Sequence, residues 1–224
     1  MRVKICGITS PSDARAAAEA GADAIGLNFV GGPRQVSPEQ AADILQELPA
    51  LVTPVALVRL EAGRVPDHLI ELLGQFWVSH VQVYGEVTSG SLALLAQDGF
   101  KAIPVVSVRD ESFADGVNEL FSRLGGRPPA AIVLDAYDPQ LAGGTGKSFQ
   151  WDWVTQAAAA GQLKGWPPLI LAGGLNPHNV AEAVRKVRPY AVDVSSGVEV
   201  DGRPGVKDAE KMRSFVRQAQ AAAV

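Results

Sequence analysis

Apolar positions in this chain gather into eight short runs rich in β-branched residues, at 3–6, 24–29, 52–58, 78–83, 101–106, 131–134, 169–171 and 191–194. Between most of them the spacing becomes helical. Ala41, Ile44, Leu45 and Leu48 stand at i, i+3, i+4 and i+7, and Val180, Val184 and Val187 keep a similar period. Met212, Phe215, Val216 and Ala219 repeat it after the last run. A helix between two strands carries the chain back to its starting edge, so successive strands lie parallel. Three helix starts are marked by a capping side chain ahead of proline: Ser10-Pro11, Ser37-Pro38 and Asn176-Pro177. Proline suits the first helical position because the N–H it lacks would have no partner there. Ser37 with Gln40 also fits a capping box. The helical pattern is poorest over residues 111–124, and Gly125-Gly126-Arg127-Pro128-Pro129 follows it. This stretch reads as a loop, since a domain break here would leave two incomplete half-barrels.

Eight strand–helix units predict an α/β protein with a single (β/α)8 TIM barrel spanning residues 1–224. A doubly wound sheet fits less well, because no G-x-G-x-x-G follows the first run. The 224 residues are ordinary for one barrel of this kind, with 47% hydrophobic and 20% charged positions. A net charge of −4 argues against an extended nucleic-acid surface, which calls for a basic stripe. One cysteine rules out an internal disulfide and a cysteine-based zinc site, and His68, His80 and His178 lack ligand spacing. No secretory signal and no run long enough to cross a bilayer is evident, so a cytoplasmic protein without a membrane partner is expected.

In barrels the chemistry sits at the C-terminal ends of the strands. Polar residues there are Cys6, Asn28, Gln82, Asp135, Gly173-Gly174 and the segment Asp193-Val194-Ser195-Ser196-Gly197. A strand period of two places Lys4 with Cys6, Val133 with Asp135, and Ala191 with Asp193 on common faces. Cys6 reads either as a small buried hydrophobe or as a thiolate base needing modest help to ionise. Asp135 reads as a loop hydrogen bonder or as an acid that keeps its proton through partial desolvation. Gly143-Gly144-Thr145-Gly146-Lys147-Ser148 is not a P-loop, because Leu141 occupies the first glycine position. It reads as a loop closing over the site or as a surface turn. The glycines after the seventh and eighth runs suit a phosphate held by backbone N–H groups. Arg34, in the loop after the second run, could hold a carboxylate through its guanidinium fork.

Five segments together resemble the phosphoribosylanthranilate isomerase family, in order along nearly the whole chain. They are Val3-Lys4-Ile5-Cys6-Gly7-Ile8-Thr9; Val81-Gln82-Val83-Tyr84-Gly85; Leu134-Asp135 with Gly143-Gly144-Thr145-Gly146-Lys147; Gly173-Gly174-Leu175-Asn176-Pro177; and Val192-Asp193-Val194-Ser195-Ser196-Gly197-Val198-Glu199. The resemblance implies an Amadori rearrangement in tryptophan biosynthesis, acting on a small phosphorylated substrate without metal or organic cofactor. It implies Cys6 as general base, Asp135 as general acid and Arg34 as the grip on the anthranilate carboxylate. Gln82 and Asp193 would bind substrate, and Gly173, Gly174, Ser196 and Gly197 its phosphate. Two departures are visible: Tyr84 stands where many relatives carry histidine, and Gly31-Gly32-Pro33 replaces the usual run before Arg34. A histidine-pathway isomerase would place aspartates at both key strand ends, whereas the first here is Cys6. An epimerase or aldolase would need metal ligands or a Schiff-base lysine, and Lys4 is set too deep. A non-catalytic phosphometabolite binder would keep the glycine loops without needing Cys6 and Asp135. Monomer and homodimer both remain open.

Overall fold

The computed structural model describes residues 1–136 and 149–223. Eight parallel strands close in sequence order: β1 (Arg2–Cys6), β2 (Ala24–Asn28), β3 (Thr53–Arg59), β4 (His80–Tyr84), β5 (Lys101–Val108), β6 (Ile132–Ala136), β7 (Leu169–Leu171) and β8 (Ala191–Val194), with β8 pairing back onto β1. Each strand is followed by a helix: α1 (Pro11–Glu19), α2 (Pro38–Gln46), α3 (Asp67–Gln75), α4 (Ser89–Gln97), α5 (Phe113–Arg123), α6 (Trp151–Ala159), α7 (Val180–Val187) and α8 (Ala209–Ala221). The eightfold barrel expected from the alternating pattern is the observed fold. Residues 125–129 form a turn and loop between α5 and β6. Among the described residues no helix is long and apolar enough to cross a membrane.

Two of the three marked helix starts are observed. The Ser10 hydroxyl accepts from the Asp13 N–H, and Ser37 and Gln40 form a reciprocal capping box. The third expectation is corrected. Asn176 does not cap a helix, because its side chain accepts from the His178 N–H at 2.8 Å and closes a turn instead. The helix begins one turn later at Val180, and the Asn179 amide turns back to Gly174 O and the Asn176 N–H.

Strand alternation produces two cores. Outward residues such as Ile5, Ile25, Leu27 and Leu134 are fully buried beneath the helices, which contribute Ile44, Leu69, Leu73, Leu95 and Phe215. Inward residues Val55, Ile103, Ala131, Val133, Ile170, Ala172 and Ala191 fill the barrel interior as a separate cluster. This plug makes the barrel solid below its mouth. Asp135 lies two residues beyond Val133, and Asp193 two beyond Ala191, so both carboxylates share the inward face. Register finishes the arrangement. Lys4 on β1 is paired with Asp193 on β8 and Cys6 with Gly26 on β2, so residues far apart in sequence stand side by side.

Candidate active site

Above the plug, the strand ends and their loops enclose a pocket of about 180 Å³. Cys6, Asp135 and Asp193 line it from β1, β6 and β8. Cys6 is 7% exposed, and Gly26 gives it room: a Cβ there would lie 2.7 Å from the sulfur. Burial raises the Cys6 thiol above its ordinary value, with the Lys4 ammonium offsetting part of the rise. The thiolate therefore needs more help here than a free cysteine requires. Lys4 supplies some. Its Nζ lies 2.6 Å from Asp193 Oδ2, and the pair is buried. Burial alone would lower Lys4, but Asp193 and Cys6 more than restore its charge and hold it raised. The second Asp193 oxygen, Oδ1, has no partner among the described residues.

Asp135 is pushed up to about 6, first by burial and then by the negative charge of Asp193. A hydrogen bond from the Ala136 N–H and the charge of Lys4 limit the rise. The shift runs in the direction anticipated for an acid at the end of an apolar strand. Base and acid candidates thus share one pocket with pKa values displaced by the same cause, loss of water around the charged form.

Gly173, Gly174 and Ser196 also line the pocket. No described residue accepts a hydrogen bond from their backbone N–H groups. Both glycines have positive φ, +83° and +64°, a backbone conformation that other residues rarely adopt. Gly197 does not line the pocket; it sits in a single 3-10 turn, Ser196–Val198. A Cβ on it would fall 2.0 Å from Leu175 O, so this glycine lets the loops after β7 and β8 touch. Gln82 likewise does not line the pocket. It is 2% exposed, donates to the Tyr84 hydroxyl at 3.1 Å, and leaves Oε1 without a partner among the described residues. Tyr84 itself reaches the pocket, and burial together with Cys6, Asp135 and Asp193 raises its hydroxyl well above the ordinary value. It is a neutral donor at any physiological pH. The glycine-rich segment 143–148, read above as a closing loop, lies outside the described residues.

Arg34 lines the pocket mouth but is not a free guanidinium. Its Nε and Nη2 donate to the two Glu199 oxygens at 2.7 and 2.8 Å, a bidentate pair. Glu199 Oε1 also accepts from Lys207 Nζ at 2.9 Å and from the Gly205 N–H at 3.1 Å. Burial would raise Glu199, but the Arg34 and Lys207 donors outweigh it and hold the carboxyl below its usual range. Lys207 has no exposed side-chain surface and is lowered by burial despite Glu199. Sequence reasoning assigned no role to Glu199, Lys207 or Arg59. Arg59 ends β3 and lines the pocket, but it falls one residue past the apolar run at 52–58 and so resembles a loop charge. Glu199 closes one of the segments that carry the family resemblance, but no local pattern pairs it with Arg34, which is 165 residues away, or with Lys207.

Comparison with known proteins agrees with this geometry. A family model described as N-(5′-phosphoribosyl)anthranilate isomerase matches residues 3–218. An N-(5′-phosphoribosyl)anthranilate isomerase from Trichlorobacter lovleyi is 44% identical over 223 residues, covering 99% of each chain. The crystal structure of phosphoribosylanthranilate isomerase from Thermotoga maritima superimposes with a TM-score of 0.81 at 33% identity, again over 99% of each chain. A further structure of such an isomerase holds reduced 1-(o-carboxyphenylamino)-1-deoxyribulose 5-phosphate; it is 31% identical with a TM-score of 0.77, over 99% of each chain. With a closed eightfold barrel, a thiol and a raised carboxyl in one mouth pocket, and a family match over nearly its whole length, this chain belongs to the N-(5′-phosphoribosyl)anthranilate isomerase family.

Proposed function

We propose that this chain catalyses the isomerisation step of tryptophan biosynthesis with Asp135 as general acid and Cys6 as general base. The substrate is N-(5′-phosphoribosyl)anthranilate and the product the 1-deoxyribulose 5-phosphate derivative. The observation that carries the assignment is the shared pocket of Cys6 and Asp135, with Asp135 pushed up to about 6. A carboxyl with that value holds a useful protonated fraction near neutrality and is still acidic enough to release the proton.

Asp135 donates its proton to the furanose ring oxygen, the C1′–O bond breaks, and the anthranilate nitrogen lone pair forms a C1′=N iminium. The Cys6 thiolate removes the C2′ proton, and the C–H electron pair moves to form the C1′=C2′ enolamine. The enolamine tautomerises: C1′ gains a proton and the C2′ hydroxyl loses one, giving the ketone. The enzyme resets when Cys6 releases the proton it took and Asp135 regains one. Burial opposes the thiolate, whereas Lys4 and the positive iminium favour it, so the base is strengthened when the intermediate is present. One acid and one base suffice, and the chemistry calls for no metal or organic cofactor. Gly173, Gly174 and Ser196, with Gly197 shaping the loop, would hold the phosphate; Asp193 would meet the sugar, and Gln82 would act through Tyr84. We place the reaction in the cytoplasm, in one catalytic unit with no nucleic-acid partner.

The test separates the two steps. Cys6→Ser makes C2′ deprotonation limiting, so C2′-deuterated substrate shows a primary isotope effect. Asp135→Asn makes ring opening limiting, and the isotope effect stays near unity. Each variant loses about 10²–10⁴-fold in turnover. Near-normal turnover in Asp135→Asn, or the same isotope effect in both variants, refutes the assigned roles.

A further inference from the structure

Arg34 presents a puzzle for carboxylate recognition, because it already holds an internal carboxylate. The hydrogen-bond inventory resolves it. A guanidinium has five N–H groups, and two parallel pairs of them form forks along different edges. Glu199 occupies the Nε/Nη2 edge. The Nη1/Nη2 edge remains, and Nη1 has no partner among the described residues. The stem of Arg34 is fixed as well. It crosses directly over Gly7, where a Cβ would lie 2.7 Å from Arg34 Cδ, so the stem passes beside the end of β1.

Glu199 is itself held mainly through Oε1. Lys207 and the Gly205 N–H engage Oε1, and the Gly205 carbonyl accepts from Thr9 Oγ1 at 2.6 Å. Lys207 Nζ also donates to Ser195 O at 3.1 Å, at the root of the loop carrying Ser196. The three side chains carry charges of +1, +1 and −1, leaving one positive charge uncompensated. The exposed end of that network is Arg34, whose side chain is 13% accessible against 6% for Glu199 and none for Lys207. A cluster with one net positive charge and one vacant donor edge at its pocket end matches one carboxylate.

We propose that Glu199 is a positioning residue for the substrate's aromatic end: it locks Arg34 by one edge so that the other edge is already aimed at the anthranilate carboxylate. The inference rests on the reading of Arg34 as the carboxylate grip. Lys207 keeps Glu199 ionised in its buried setting and anchors it to the backbone of the loop after β8. A free arginine would lose side-chain freedom on binding; here that ordering is completed when the protein folds.

The experiment compares two ligands. One is reduced 1-(o-carboxyphenylamino)-1-deoxyribulose 5-phosphate, and the other is the same compound with plain phenyl in place of the carboxyphenyl ring. Dissociation constants are measured calorimetrically for the unmodified protein, Glu199→Gln, Arg34→Ala and the double variant. Glu199→Gln is expected to weaken the carboxylated ligand about three- to tenfold, the scale of one unfrozen side chain, and to leave the phenyl ligand unchanged. In the Arg34→Ala background the same substitution is expected to have no further effect. Equal losses for both ligands, or a Glu199→Gln effect that persists without Arg34, would overturn the proposal and make Glu199 a structural strut. If Arg34→Ala itself fails to discriminate the ligands, the carboxylate reading of Arg34 falls and takes this proposal with it. If Arg34→Ala discriminates and Glu199→Gln does not, Glu199 alone is refuted. Should Glu199→Gln fail to fold because Lys207 is left buried without its counter-charge, Glu199→Gln combined with Lys207→Met removes both charges and is read with the same two ligands and the same criteria.

Discussion

Replacing Asp135 by asparagine should stabilise the fold at neutral pH while removing activity. The carboxyl titrates at about 6 in the folded protein against an ordinary 3.8. The folded state therefore binds this proton more tightly than the unfolded chain does. As pH rises from 3.8 towards 6, the unfolded chain ionises first and folding loses free energy; above 6 the loss is complete and constant. The difference of 2.2 units, at 1.36 kcal/mol per unit, amounts to about 3 kcal/mol. Asparagine has nearly the shape of the protonated acid and never ionises, so Asp135→Asn escapes this penalty. Urea unfolding in phosphate-free buffer at pH 7.5 should show a gain approaching about 3 kcal/mol, a large share of a typical domain's stability. Near pH 4 the gain should shrink towards zero, because both forms are then neutral in the folded state. A variant no more stable than the parent at pH 7.5, or a gain independent of pH, would mean that burial and Asp193 do not strain Asp135. The result would place this carboxyl among residues kept for function at a cost in stability.

The pH dependence of kcat/KM follows from the same displacement. With Asp135 near 6 and Cys6 raised above its ordinary value, the reacting form, protonated acid with thiolate, is a minority species between the two titrations. The profile should bend near pH 6 because of Asp135 and fall only above the Cys6 value. The bend should vanish in Asp135→Asn, whereas one that survives there belongs to the substrate phosphate and refutes the assignment. Lys4→Met should raise the Cys6 thiol further, seen as slower iodoacetamide alkylation at pH 8; an unchanged rate would exclude Lys4 as its counter-charge. Gly197→Ala should force apart the loops after β7 and β8, since its Cβ would fall 2.0 Å from Leu175 O. Weaker inhibition by inorganic phosphate and a higher KM, with kcat less affected, is the expected outcome; unaltered phosphate inhibition would remove these loops from the phosphate site.

Much of this site was legible in the chain because it obeys local rules. Cys6 and Asp135 each end an apolar run, and alternation alone puts them on the face of Lys4 and Val133. The glycine pair after β7 announces unusual backbone, and the positive φ of Gly173 and Gly174 agrees. Where local signals competed, the reading slipped. Asn176-Pro177 has the composition of a helix start, but the Asn176 side chain found a nearer N–H on His178 and made a turn. Gln82 lies on the inward face of β4, yet it is Tyr84, to whose hydroxyl Gln82 donates, that lines the pocket, and a strand pattern does not reveal which of the two reaches it.

What the sequence determined by itself is therefore the period, face and order of the elements, and with them the eightfold fold and the positions of the thiol and the acid. The tertiary structure alone decided which charges meet. Barrel closure brings β8 against β1 and pairs Lys4 with Asp193 across 189 residues, while the loop after β2 meets the segment after β8 to pair Arg34 with Glu199 across 165. Side-chain period is a property of each strand's backbone, fixed within a few residues. The pairing of charges depends on closure and register summed around the whole barrel, and the displaced pKa values depend on the water that this closure excludes.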